Sequence, residues 1–187
     1  MSVDSHIPLP YDFKQEMLFQ EIRCPAIRRT AGKEPHMAVY LVQHGKNLPG
    51  DQDPEKPLSP EGRSEVEKVA GLARENNVRV SRIEHSPKKR AEQTAGIIGR
   101  KLQPGDGVHE RDGIKAMDDI VPVADELDPE SDIMLVGHLP FMEKLASYLI
   151  TGEQNQRVVK FHNGGIVCLG RDKQGWYLEW TLLPPPE

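Results

Sequence analysis

From Met37 onward, short apolar runs of strand length alternate with stretches whose apolar residues recur at helical spacing, and this alternation restricts the fold to helices packed on a sheet. Ala38 to Val42 and Ile133 to Val136 are uninterrupted apolar runs fit for strands buried on both faces. Arg82 to His85 reads as the end of another short strand. Ile166 to Leu169 and Trp176 to Leu182 read as two closing strands joined through Asp172 to Gly175 as a hairpin. Between them, Ser59-Pro60-Glu61 combines an N-cap, a proline at the first helical position and an acid in the first turn, ahead of the stripe Val66, Val69, Ala70 and Ala73. Further helices are expected from about Lys88 to Leu102, near Asp119 to Leu127, and from Pro140 to a stop at Gly152. Residues near Val108 to Ile114 read as a weak strand or loop. The expected fold is a three-layer α/β/α sandwich with a mostly parallel central sheet.

Residues 1–36 have a different texture. Pro8, Pro10, Pro25 and Pro35 bracket a stretch in which Phe13, Met17, Leu18 and Ile22 fall at helical spacing. The expected organisation is an extension over 1–36, with a short helix or partial disorder, followed by one domain over 37–187.

Composition narrows the function classes. The 24 Lys and Arg against 29 Asp and Glu leave a net charge of −5, and no segment gathers the cations that a duplex nucleic acid requires. No apolar run approaches the roughly 20 residues of a membrane-spanning helix. Asp4, His6 and Pro8 stand where a signal peptide needs a positive start and an apolar stretch, and Cys24 and Cys168 form neither a disulfide framework nor a zinc knuckle. A cytoplasmic setting is expected. The seven histidines show no metal-ligand spacing, so no metal and no cofactor are expected.

In parallel α/β sheets ligands sit beyond the carboxyl ends of the strands. Gln43-His44-Gly45, His85-Ser86 and Gly137-His138 occupy those positions, and Arg90 follows His85 at the start of a helix. Two imidazoles and a guanidinium at one sheet edge suit phosphoryl chemistry: one ring attacks phosphorus while the other groups hold the equatorial oxygens. A glycine at 45 is expected to let backbone approach the anion, with helix N-termini adding partial positive charge.

These strings also resemble a known family. Leu41-Val42-Gln43-His44-Gly45 resembles the first signature of the histidine phosphatase (phosphoglycerate mutase-like) superfamily. His85-Ser86-Pro87-Lys88-Lys89-Arg90-Ala91-Glu92-Gln93-Thr94-Ala95 is similar to its second, and Leu135-Val136-Gly137-His138-Leu139-Pro140 to its third. The Arg-Ala-Glu-Gln-Thr and His-Leu-Pro strings are shared with the small SixA branch of phosphohistidine phosphatases. The resemblance implies that His44 is the transiently phosphorylated nucleophile, and that Arg90 and His138 bind the phosphoryl oxygens. Gln43 stands where the family usually has its first phosphate-binding arginine. The loss of that charge is expected to slow turnover unless Lys46, Lys88 or Lys89 restores it.

The resemblance further implies a general acid from the segment after the second motif, where Glu110, Asp112, Asp118 and Asp119 are available. Asp119 is favoured, with helix capping as its competing role. His85 and the His162-Asn163-Gly164-Gly165 string are expected to be structural, and His36 and His109 to be surface residues. Met37 onward leaves 151 residues, too few for insertions roofing a sugar-phosphate pocket. An open site favours phosphohistidine displayed on another protein. A small phosphate ester or acyl phosphate, or a binding role without turnover, are the alternatives.

Overall fold

The computed structural model describes residues 38–185. The expected extension over 1–36 and the boundary at 37 lie outside the described residues. Six strands form one sheet in the order β3-β2-β4-β1-β5-β6. These are β1 (Ala38–Gln43), β2 (Arg82–His85), β3 (Val108–Glu110), β4 (Ile133–Gly137), β5 (Ile166–Asp172) and β6 (Gly175–Leu182). The first four in that order run parallel, and β5 and β6 form an antiparallel hairpin against β1. Among the described residues, four α-helices flank this sheet: α1 (Pro60–Glu75), α2 (Lys89–Leu102), α3 (Val121–Glu126) and α4 (Phe141–Thr151).

The apolar run of β1 is buried on both faces because each face meets a helical layer. Ala38, Tyr40 and Val42 pack with Val66, Val69 and Ala70 of α1 and Ala91, Ala95 and Ile98 of α2. Val39 and Leu41 pack with Val123 of α3 and with Phe141, Met142 and Leu145 of α4. Strand alternation therefore divides one sequence run between two cores, which is the expected sandwich.

Ser59 caps α1 by accepting from the Gly62 amide at 3.0 Å, as its sequence position predicts. Two expected boundaries shift. The helix expected near Asp119 begins at Val121 and is only 6 residues long. Pro140 is the N-cap of α4, and Phe141 is its first helical residue. A 3-10 turn at Pro129–Ser131, not expected from sequence, leads into β4.

The order of the strands places a crevice between β1 and β4. From β1 the chain runs through α1 to β2 and α2 to β3, and only then returns through α3 to insert β4 beside β1. Helices α1 and α2 consequently lie on one face and α3 and α4 on the other, opening the sheet at the carboxyl ends of these two strands.

Candidate active site

Register brings the two strand-end histidines together. Gln43 of β1 pairs with Gly137 of β4, so His44 and His138 each follow directly on a paired position. The His44 amide donates to the Gly137 carbonyl at 3.0 Å and joins the strand ends. The two imidazole rings lie with centroids 5.0 Å apart, tilted by 56°. From the first turn of α2, Arg90 Nε donates to His44 Nε2 at 3.0 Å. His44, His138 and Arg90, which stand 46 or more residues apart in the chain, thus share one cluster.

The tautomer of His44 follows from its partners. Nδ1 lies 2.8 Å from the Gly45 carbonyl, which only accepts, so Nδ1 carries the proton. Nε2 accepts from Arg90 and keeps its lone pair directed at the guanidinium. Burial lowers the His44 pKa to about 4, with Arg90 adding to the effect and the Gly45 hydrogen bond opposing it. Burial lowers the His138 pKa to about 3; His44, Arg90 and Lys88 push it the same way and Asp118 opposes them. Both rings are neutral at pH 7.

Backbone and side-chain contacts hold the loop after β1. The Gly45 amide donates to Thr94 Oγ1 at 3.0 Å, and that hydroxyl donates to the Arg90 carbonyl at 2.7 Å, tying the loop after β1 to α2. The Gly45 N–H is thus engaged within the protein, whereas the sequence raised the expectation that backbone here approaches the anion. The glycine answers a different constraint, since a Cβ there would meet Val66 Cγ2 at 2.7 Å and the Gly62 carbonyl at 3.1 Å. On the other side, Asn163 Nδ2 donates to the His44 carbonyl at 2.9 Å and the Gly164 amide to the Gln43 carbonyl at 2.9 Å. The His162-Asn163-Gly164-Gly165 string is a turn, as expected, but it also braces the loop after β1. His85 is buried, with Nδ1 3.0 Å from the Ser86 carbonyl, and His109 is on the surface.

Of the three lysines that could restore the charge absent at Gln43, Lys46 and Lys89 are paired with carboxylates. Lys46 Nζ pairs with Glu61 and, at 2.8 Å, with Glu65, and these carboxylates hold its pKa above the ordinary lysine range. Lys89 pairs with Glu92 at 3.1 Å. Lys88 is the lysine whose charge acts on His138. Gln43 is half-buried and lines a cleft of about 580 Å³ with Phe161, His162 and Asn163, while Lys88 and Arg90 line another of about 580 Å³.

Asp119 is exposed, and its Oδ1 accepts from the Val121 amide at 3.1 Å, a turn contact one residue ahead of the N-cap, Ile120. Asp118 is half-buried and accepts from the Lys115 amide at 2.8 Å. It is the carboxylate whose charge reaches His138. Sequence reasoning also passed over Ser86, which is fully buried and in hydrogen-bonding contact with His138 Nε2. Its position after a strand end was the available signal. Among the described residues, no group of three or more His, Cys, Asp or Glu is arranged to hold a metal ion, and no helix is long and apolar enough to cross a membrane.

A sequence model of the histidine phosphatase superfamily (branch 1) matches residues 39–119, a span containing His44, Ser86 and Arg90. Over this span the chain resembles the histidine phosphatase superfamily. His138 lies beyond the matched span, and the sheet register carries it into the site. Among solved structures, the fold resembles the protein histidine phosphatase SixA complexed with tungstate, with a TM-score of 0.68, 24 % identity, and coverage of 79 % of this chain and 97 % of that one. It also resembles a protein described as phosphohistidine phosphatase SixA from Agrobacterium tumefaciens, with a TM-score of 0.65, 27 % identity, and coverage of 81 % and 100 %. A phosphoserine phosphatase from Entamoeba histolytica in complex with 3-phosphoglyceric acid has a TM-score of 0.60 at 17 % identity, covering 78 % and 96 %. No curated protein matches the chain. Family and fold neighbours together support phosphatase activity.

The neutral imidazoles make a prediction for stability. In the unfolded chain both histidines titrate near 6.5, whereas in the fold they do so near 4 and 3. Between pH 6.5 and 4 the unfolded state therefore binds protons that the native state refuses, and stability falls as pH falls. The expected slope is up to roughly 1.4 kcal/mol per pH unit for each ring. Urea midpoints measured from pH 7 to 4.5 should drop, and a His44→Gln, His138→Gln double variant should flatten that drop.

Proposed function

We propose that this phosphatase removes the phosphoryl group from phosphohistidine on a protein, through a phosphorylated His44. The observation that carries the reading is the His44 imidazole itself: neutral, held by the Gly45 carbonyl as the Nδ1–H tautomer, with its Nε2 lone pair beside a guanidinium and a second imidazole. Nε2 attacks phosphorus as the bond to the leaving nitrogen breaks, and that nitrogen departs with a proton. Water then attacks the phosphorus on His44, releasing phosphate and returning the free imidazole. Arg90 must give up its bond to Nε2 as substrate enters, and the phosphoryl oxygens offer it a stronger, charge-assisted partner. Arg90 and His138 hold the anion through both steps.

The leaving-group proton is assigned to the Asp118-Asp119 segment. Asp118 is preferred to the Asp119 favoured from sequence, because it is the less exposed of the two and its charge acts on His138. An imidazole leaving group is basic enough to need little help from a strong acid, which fits the exposure of this segment. Among the similar folds, one is a histidine phosphatase that binds tungstate, a tetrahedral oxyanion, and this supports reading the cluster as a phosphoryl site. Gln43, Gly45 and Lys46, the substrate-binding residues named from the sequence, flank His44 in the chain: Gln43 offers its amide from the neighbouring cleft, Gly45 packs the loop against α1, and Lys46 carries a charge already shared with Glu61 and Glu65.

The substrate class is tested by offering purified protein a phosphohistidine-bearing protein beside phosphoserine, small phosphate esters and acetyl phosphate. Release of phosphate from the first, well ahead of the others, is expected. Preference for a small ester instead would assign the enzyme to metabolite phosphatases, and no turnover with any would assign it to anion binding alone.

A second expectation concerns Gln43. With Lys46 already paired, Gln43→Arg should restore a charge-assisted bond worth roughly 1–2 kcal/mol more than the amide supplies. Turnover should rise roughly five- to thirty-fold if the gain falls on the transition state. Steady-state kinetics on the same substrate check this, and an unchanged rate would show that Lys88 already compensates.

A further inference from the structure

We propose that Ser86 is a positioning residue that fixes His138 as the Nδ1–H tautomer, leaving that N–H as a donor reserved for the phosphoryl group. The inference rests on the phosphoryl-site reading above, but its deciding measurement needs no turnover.

Ser86 reaches His138 through the sheet. It follows β2, whose His85 pairs with Val136 of β4, and the Ser86 amide donates to the Val136 carbonyl at 3.1 Å. That register sets Ser86 beside the residue two positions on from Val136, and its hydroxyl meets His138 Nε2. Both side chains are buried, Ser86 fully and His138 to 3 % exposure. Neither ring nitrogen can therefore rely on bulk water for a partner.

Counting donors and acceptors decides the direction of the bond. Ser86 Oγ also lies 3.4 Å from the Lys88 amide, which can only donate. If the hydroxyl accepts from that amide and donates its own proton to Nε2, every polar atom of Ser86 is satisfied. The ring proton then sits on Nδ1, the one His138 nitrogen that has no hydrogen-bond partner. A phosphoryl oxygen supplies the acceptor that this N–H lacks. In the opposite arrangement Nε2–H donates to Ser86 Oγ. The serine proton is then left without an acceptor among the contacts of Oγ, and Nδ1 presents a lone pair to an incoming anion. That arrangement leaves two buried groups unsatisfied and repels the ligand, whereas the first leaves one donor that the ligand satisfies. The same ring could bind an anion by taking a second proton, but desolvation and the neighbouring His44, Arg90 and Lys88 hold it neutral. Its donor must therefore come from the tautomer.

The test is ¹⁵N NMR of protein labelled at histidine nitrogen, at pH 7, with and without inorganic phosphate. Wild type should show His138 with a protonated Nδ1 and an unprotonated Nε2, and phosphate should perturb Nδ1. Ser86→Ala should give a mixture of tautomers, while Ser86→Thr, which keeps the hydroxyl, should retain the wild-type pattern. Phosphate affinity should fall by roughly tenfold in Ser86→Ala, the worth of one buried hydrogen bond. Because the wild-type spectrum alone decides the tautomer, a misfolded variant does not rescue the proposal. A proton on Nε2 in wild type, or an unchanged tautomer in folded Ser86→Ala, overturns it. If the tautomer is as stated but no phosphatase activity is found, the functional reading fails and the role of Ser86 stands.

Discussion

Replacing His44 by alanine is expected to abolish turnover and, with it, all covalent labelling of the chain by a radiolabelled phosphoryl donor. The expectation follows from placement. His44 Nε2 is the one imidazole nitrogen of the His44–His138 pair that both accepts from a guanidinium and keeps a lone pair held by a defined tautomer. His138 cannot take over, since its Nε2 is held by Ser86 and its ring is the more deeply buried of the two. Removing a covalent nucleophile costs about 10³-fold or more even where the rest of the site survives, and with no nucleophile the two-step route closes. Label should appear on wild type in a one-to-one ratio, be acid-labile as a phosphoramidate is, and be absent from His44→Ala. Label persisting on the variant would move the nucleophile elsewhere, and absence from both proteins would leave a binding site rather than an enzyme.

The second large effect belongs to Arg90. In many phosphoryl-transfer sites several cations share the anion, but here the position before His44 is Gln43, Lys46 is paired with Glu61 and Glu65, and Lys89 with Glu92. Among the described residues, Arg90 is the guanidinium hydrogen-bonded to His44. Its loss removes charge-assisted bonds worth roughly 1.5–3 kcal/mol each and the bidentate geometry that goes with them. Arg90→Ala should lower kcat/KM by at least about 10²-fold, and by 10³-fold or more if Arg90 acts as fully as an arginine finger. Arg90→Lys should recover little, because an ammonium lacks the planar fork. The variant has a second readout: without the guanidinium pressing on it, the His44 pKa should rise from about 4, and the acid limb of the pH–rate profile should move up with it. A drop of less than tenfold in Arg90→Ala would mean that Lys88 carries the charge.

Much of the fold was legible because its signals are local. Ala38 to Val42 reads as a doubly buried strand from five consecutive apolar side chains, and Ser59-Pro60-Glu61 marks a helix start by capping chemistry within one turn. The short third helix was misplaced by two residues because Asp119 has the chemistry of a cap, yet the helix begins at Val121 after Ile120 as its N-cap. His44, Arg90 and His138 were legible as a group through their positions at strand ends and a helix start. Their roles came from the resemblance of three strings.

What stayed hidden has one physical cause. Neighbours in a sheet are set by strand order, and β4 joins β1 and β2 after the chain has passed through β3 and α3. The Ser86–His138 contact spans 52 residues, and the brace from Asn163 to His44 spans 119. The pairing of Lys46 with Glu61 and Glu65 crosses from a loop to the facing turns of α1. By itself the chain settled which segments become strands and helices and which residue types stand at their ends, since those depend on propensity and pattern over a few residues. Only the folded sheet decided which of those ends meet, which lysine is neutralised and which ring nitrogen is left for a ligand, because each depends on distances between atoms that the sequence keeps far apart.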